Sequence, residues 1–202
     1  MYKKIGLIML VMLLIGCGRN AGSVTEPRNT NSSRHDSSEA EYAIYSALLD
    51  EMYVHEAAPV VVMNRTSMEP SLSGDSFRAS QYVAQNLPQG AAPDALEDLR
   101  NRNQQPSDLN GRFVTRVKYV LISEGEKDEL ARTKDFWNAF ADKYRGQALI
   151  TFSRVGFSRD MKTAIVYAGE SCGWKCGHGD FVLLVRENNA WEIKQKVNVW
   201  VS

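Results

Sequence analysis

The last quarter of the chain most constrains its fold. After Gly146, the runs "ALITFSRVGF", "TAIVYAG", "DFVLLVR" and "AWEIKQKVNVWVS" are rich in β-branched and aromatic residues. Only "SRDMK", a cysteine-containing stretch and "ENN" separate them, a spacing that suits an antiparallel meander. In the last run Trp191, Ile193, Val197, Val199 and Val201 fall on one side of the alternation, and Glu192, Lys194, Lys196 and Asn198 on the other. That pattern predicts a sheet with one apolar face for helices to cover.

The helices are predicted upstream. In "SEAEYAIYSALLDEMYVHE", Ala40, Ile44, Ala47, Leu48 and Met52 recur at three- and four-residue spacing, and Ser38 with Glu41 matches a capping box at the helix start. His55 falls at the helix end, where a surface role is expected. "APVVVMNRTS" reads as a strand. Pro70, Pro88, Pro93 and Pro106 break Met68 to Asn110 into short pieces, with helices predicted at Ser76 to Asn86 and Asp94 to Asn103. Leu109 to Ser123 alternates as a strand would. "EGEKDELARTKDFWNAFADKYRGQ" reads as one helix with Phe136, Ala139, Phe140 and Tyr144 as its apolar stripe and Gly146 as its C-cap. Together these predict an α+β fold, with the N-terminal and central helices packed on one face of a C-terminal antiparallel meander sheet. Residues 39–202 suffice for a single domain.

The start of the chain, "MYKKIGLIMLVMLLIGCGRN", has the pattern of a secretory leader: basic Lys3 and Lys4, an uncharged stretch from Ile5 to Ile15, then small residues. As a helix those apolar residues would reach about 16 Å, roughly half of a hydrocarbon core. "LIGC", Leu14 to Cys17, resembles the lipobox of bacterial lipoproteins. The resemblance implies a signal peptide over residues 1–16, lipid on Cys17 (a diacylglyceryl thioether and usually an N-acyl chain such as palmitate) and anchoring to a membrane of the bacterial cell envelope. Gly18, where an aspartate commonly marks inner-membrane retention, favours the outer membrane in a diderm cell. Residues 17–38 then form a tether, expected to be disordered because "GRNAGSVTEPRNTNSSRHDSS" has almost no apolar surface to bury; His35 lies within it. Without residues 1–16 the chain carries 22 basic and 24 acidic residues, a net charge of −2 that offers no basic field to nucleic acid.

The C-terminal stretch beginning "FSRVGFSRDMK" and ending "NVWVS" is similar to a family of uncharacterised secreted and lipid-anchored bacterial proteins, with a V-G-F strand, a V-Y strand, a glycine-rich cysteine loop and a terminal W-V-S. The resemblance implies architecture and no activity.

"ESCGWKCGHGD" holds the remaining two cysteines. In an oxidising compartment Cys172 and Cys176 are expected to form a structural disulfide, for which three intervening residues leave room. One alternative is a metal site using Cys172, Cys176, His178 and Asp180, since thiolate, imidazole and carboxylate bind zinc and thiolates suit reduced copper. Against it, structural zinc sites usually join two ligand pairs, and no second pair exists in the chain. Another alternative is a dithiol redox switch, which normally sits at the start of a helix. Ser171, His178 and Asp180 are too close in sequence to favour a catalytic triad, and the chain has no G-x-S-x-G elbow, phosphate loop or H-E-x-x-H helix. The sequence therefore favours a non-enzymatic binding or assembly module of the envelope, without a cofactor and with a partner protein there; the metal or redox protein is the alternative.

Overall fold

The computed structural model describes residues 30–67, 85–86, 93–146 and 148–202, with side chains from Ser38 onward. The expected leader, the lipidation site at Cys17 and most of the helix expected at Ser76 to Asn86 lie outside the described residues. The fold is α+β, with a mixed, mostly antiparallel sheet. Its helices are α1 (Thr30–Tyr53), α2 (Pro93–Arg102), α3 (Glu124–Ala131) and α4 (Phe136–Tyr144). Its strands are β1 (Val60–Met63), β2 (Tyr119–Ile122), β3 (Leu149–Phe152), β4 (Gly156–Phe157), β5 (Thr163–Gly173), β6 (Cys176–Glu187) and β7 (Ala190–Val201).

The sheet order is β2-β1-β3-β5-β6-β7, with β4 paired to β5. The expected meander is present as β5, β6 and β7, each antiparallel to the next. β1 joins it by pairing parallel to both β2 and β3. Such pairings bring together segments distant in sequence, which local alternation does not encode.

Both faces of the sheet are covered, which corrects the expectation of one covered face. α1 packs Ile44, Tyr45, Leu48 and Leu49 against Val62, Ile150, Val166, Val182 and Leu184. The alternate residues Ile165, Tyr167, Phe181 and Leu183 point the other way, toward α2, while Val61, Met63 and Leu149 meet α3 and α4. Near-continuous apolar runs such as "AIVYA" are what a strand buried on both faces requires. Strand β7 changes sides part-way. Its register against β6 slips by one residue between Leu183 and Leu184, so Trp191 and Ile193 pack on the α1 side and Val197 and Val199 on the α2 side. A bulge inverts the alternation beyond it, and the five apolar residues predicted to share one face are divided.

α1 starts at Thr30, within the segment expected to be a disordered tether. Extending a helix that is already nucleated costs much less than starting one, so the packed part carries polar residues with it. The stripe that α1 buries is rotated from the predicted one: Tyr42, Tyr45 and Leu49 are buried, whereas Ala47 and Met52 are half-buried. Tyrosines can occupy this stripe because their hydroxyls find acceptors, Tyr45 donating to the Ser153 carbonyl at 2.9 Å and Tyr42 to Asn110 Oδ1 at 2.7 Å.

The helix predicted from Glu124 onward is two helices. α4 begins afresh at Asp135, whose side chain accepts from the Asn138 N–H. Arg145 takes the left-handed conformation at its end, with φ 55°, and Gly146 lies against the Pro59 carbonyl. The predicted strand over Leu109 to Ser123 is strand only in its last part, as β2.

A reciprocal capping box starts α3: Glu126 N–H donates to Ser123 Oγ at 3.2 Å, and Ser123 N–H donates to Glu126 Oε2 at 3.0 Å. The hydrogen bonds from the Ser123 backbone and hydroxyl hold the Glu126 carboxyl below its ordinary range. Because its pKa is depressed in the folded state, this contribution is complete above the unfolded carboxylate pKa and lost as pH falls through the folded one. Ser123→Ala is expected to cost about 1 kcal/mol at pH 7. The cost should shrink in urea titrations repeated under acid conditions.

Candidate functional site

Two long antiparallel strands, β5 and β6, meet at the cysteine stretch. β5 continues through Cys172 to Gly173 and β6 starts at Cys176, leaving Trp174 and Lys175 as a tight turn. What looked like a loop is therefore the tip of a hairpin. Cys172 and Cys176 lie at disulfide distance with their Cα atoms 5.0 Å apart, and the pairing of β5 with β6 is irregular between Ser171 and Gly173. The staple closes the hairpin where it runs past the helices. Trp174 is 76% exposed. An indole held out on a rigid turn gives up little conformational freedom on meeting a partner.

The staple bears on the metal alternative for this loop. With the two sulfurs joined, the four-ligand set of Cys172, Cys176, His178 and Asp180 lacks its thiolates. Among the described residues, no group of three or more His, Cys, Asp and Glu side chains is placed to hold a metal ion. His178 instead stands 3.7 Å from Asp180, whose other carboxylate oxygen accepts from the Asn198 amide at 2.8 Å. Cys172 lies near the end of β5 and Cys176 begins β6, so neither cysteine stands at the helix N-terminus where a dithiol switch normally sits. Ser171 and Asp180 alternate onto opposite faces of the sheet, so no triad forms with His178.

Behind the tip is a small pocket of about 260 Å³, lined by Tyr53 at the end of α1, by Glu56 and Pro59 beyond it, and by Glu170 and the two cysteines. Glu170 sits opposite His178 in the β5–β6 ladder and accepts a hydrogen bond from the Tyr53 hydroxyl. Burial, the hydrogen bond to Glu170 and the negative charges of Glu170, Glu56 and Asp180 push the Tyr53 phenol well above its ordinary pKa. The raised pKa keeps the Tyr53 hydroxyl in the form that donates to Glu170. Its bond ties the end of α1 to the hairpin, so the staple and the helix end wall the same pocket.

Sequence reasoning singled out the cysteines, His178 and Asp180, and the structure brings them together at one end of the sheet. It missed Tyr53 and Glu170, whose pairing spans 117 positions. It passed over Trp174 as well, although a large aromatic residue between two cysteines in an otherwise polar, glycine-rich turn was a usable signal.

Reduction of the disulfide is expected to lower stability by about 2 kcal/mol, the chain-entropy value for so small a ring. The fold should survive, because the adjoining strand pairs and the Tyr53–Glu170 bond remain. Denaturant titrations with and without reductant, followed by far-UV circular dichroism, measure both points. Comparison with protein-family models, with curated proteins and with solved structures finds no match to the chain.

Proposed function

We propose that this protein is a lipid-anchored module of the bacterial cell envelope that binds a partner protein through its stapled hairpin tip. The observation that carries the reading is the exposed Trp174 on a disulfide-closed turn. A disulfide suits an exported domain, and exposed aromatic anchors are typical centres of binding energy. The lipobox at Cys17 supplies the anchor, with the outer membrane favoured in a diderm cell.

The direction of α1 supports a partner located away from the anchoring membrane. Its last residue, Tyr53, bonds Glu170 near the tip, whereas Glu39 and Tyr42 lie beside Asn189 and Trp191 at the other end of the β6–β7 hairpin. A twelve-residue strand such as β6 spans roughly 40 Å. The chain enters the domain at one end and offers Trp174 at the other. Val201, also exposed, lies opposite His178 in the ladder, at the same end of the sheet as the tip.

Expression of the full chain in a host with an export and lipidation pathway tests both parts. Palmitate label should enter the protein and be lost in Cys17→Ser, which should leave the membrane fraction. A photo-crosslinking residue placed at Trp174 should give a discrete adduct that the same residue at exposed Val114 does not give. An unlabelled wild-type protein would refute the anchor, and equal adducts from both positions would refute the tip.

A further inference from the structure

The apolar cover on the α2 side of the sheet is divided. One cluster gathers under α2 around Tyr167 and Phe181, and the other under α3 and α4 around Met63 and Leu149. Between them the sheet presents Thr151 on β3 and Ser171 on β5, with Gly169 paired to Thr151. A purely structural face would gain by continuing the apolar cover, since burying aliphatic side chains away from water stabilises the fold. Here the two hydroxyls line an open crevice of about 550 Å³.

The crevice lies at the carboxyl ends of the parallel pair β1 and β2. Arg65 and Thr66 follow β1, Glu124 and Lys127 open α3 directly after β2, and Pro106 closes the opposite wall. Ligands of α/β sheets bind in this position because the chain leaves neighbouring strands in different directions and opens a gap. The volume is within the range of small-molecule sites.

The lining has more donors than acceptors. Thr66 Oγ1 already accepts from the Ser107 N–H at 2.7 Å, leaving its own proton to be accepted. Among the described residues the Thr151 and Ser171 hydroxyls have no protein partner. Among the described residues Arg65 pairs only with Asp108, at 3.9 Å and with the aspartate side chain 87% exposed, so its five donors are largely unspent there. Lys127 spends one proton on Glu124, at 2.6 Å, which also uses part of the one carboxylate that the described residues place in the lining. Met63, Leu149 and Pro106 supply the apolar part of the surface. An acceptor-rich head with an apolar body satisfies both.

We propose that this crevice binds a small organic carboxylate, its head taken by Arg65 and the Thr66, Thr151 and Ser171 hydroxyls and its hydrocarbon laid against Met63, Leu149 and Pro106. The site is independent of the Trp174 tip, and either reading can fail alone.

Hexanoate is the probe, added to the full chain and followed by saturation-transfer NMR and calorimetry. Binding should weaken about tenfold or more in Arg65→Gln, which removes a charge-assisted hydrogen bond from a half-exposed side chain without opening the core. Thr151→Val should weaken binding about threefold to tenfold while leaving the unfolding midpoint unchanged or raised, because the hydroxyl has no structural partner. 1-Hexanol, the same chain without the charge, should bind at least about tenfold more weakly than hexanoate. Equal binding of hexanol and hexanoate, an unaltered affinity in Arg65→Gln, or displacement of hexanoate by equimolar inorganic phosphate would each overturn the proposal.

Discussion

Replacing Glu41 with alanine is expected to cost about 3 kcal/mol, the largest loss anticipated for any single charged residue here. Its carboxylate, with the side chain 10% exposed, pairs with the Arg102 guanidinium at 3.2 Å and accepts from Arg154 Nη2 at 3.3 Å and from the Val155 N–H at 3.1 Å. Those bonds join α1 to the end of α2 and to the link between β3 and β4. Removing the carboxylate leaves two guanidinium groups, 14% and 27% exposed, without the charge between them. Asp98 remains near Arg102, at 3.8 Å, but Arg154 has no such substitute among the ion pairs of the described residues. The residual exposure of both arginines keeps the cost at the low end of the range for breaking a buried pair, about 3–5 kcal/mol. In a domain of this size that corresponds to a melting temperature lower by about 6–12 °C. Urea titrations of Glu41→Ala, Arg102→Ala and the double variant should give a coupling energy above about 1 kcal/mol. A loss below about 1 kcal/mol with no coupling would instead fit a helix cap, the role its spacing from Ser38 suggested.

That contrast shows where the sequence was legible. Ser38-x-x-Glu41 and Ser123-x-x-Glu126 are the same pattern, and only the second is a capping box. The first lies inside α1, and its glutamate is drawn away by two arginines more than 60 positions distant. Local rules worked where the competing interactions are local. The helix α2, the strand β1 and the meander β5 to β7 follow from residues a few positions apart. Local rules failed where distant segments decide. β1 enters the sheet by parallel pairing, and a bulge near Lys194 moves Val197 and Val199 to the other face. The break between α3 and α4 was a local signal left unread: Thr133 bonds the Leu130 carbonyl and Asp135 caps the Asn138 N–H. The candidate site divides in the same way. Two cysteines four positions apart announced their own staple, whereas the Tyr53–Glu170 bond and the crevice between α2 and α3 depend on the assembled fold.

Two glycines make the same point with opposite signs. Gly156→Ala is expected to destabilise by about 3 kcal/mol or more, the upper end of overpacking costs. A methyl group there would come within 2.3 Å of the Ala95 carbonyl oxygen, 2.4 Å of the Leu99 nitrogen and 2.5 Å of Leu99 Cβ. Two of these atoms are helix backbone and the third is anchored to it, so no rotamer change relieves the contact and α2 must move as a body. The movement would strain the bonds that seat α2: Asp98 Oδ2 accepting from Phe157 N–H at 2.9 Å, Asp94 Oδ2 accepting from Arg159 N–H at 2.9 Å, and Arg102 donating to the Val155 carbonyl at 3.0 Å. Gly125, within α3, has only Ser123 Oγ near such a methyl group, at 3.9 Å. Alanine there should stabilise by about 0.5–1 kcal/mol, the helix-propensity gain over glycine. Paired denaturant titrations of the two variants separate close approach from conformational permissiveness. Because Asn103 and Pro106, just beyond α2, form a wall of the crevice, Gly156→Ala should also weaken hexanoate binding, while Gly125→Ala should leave it intact. A Gly156→Ala protein with native stability would mean that α2 is not seated on β4, and both the division of the apolar cover and the crevice beside it would have to be reconsidered.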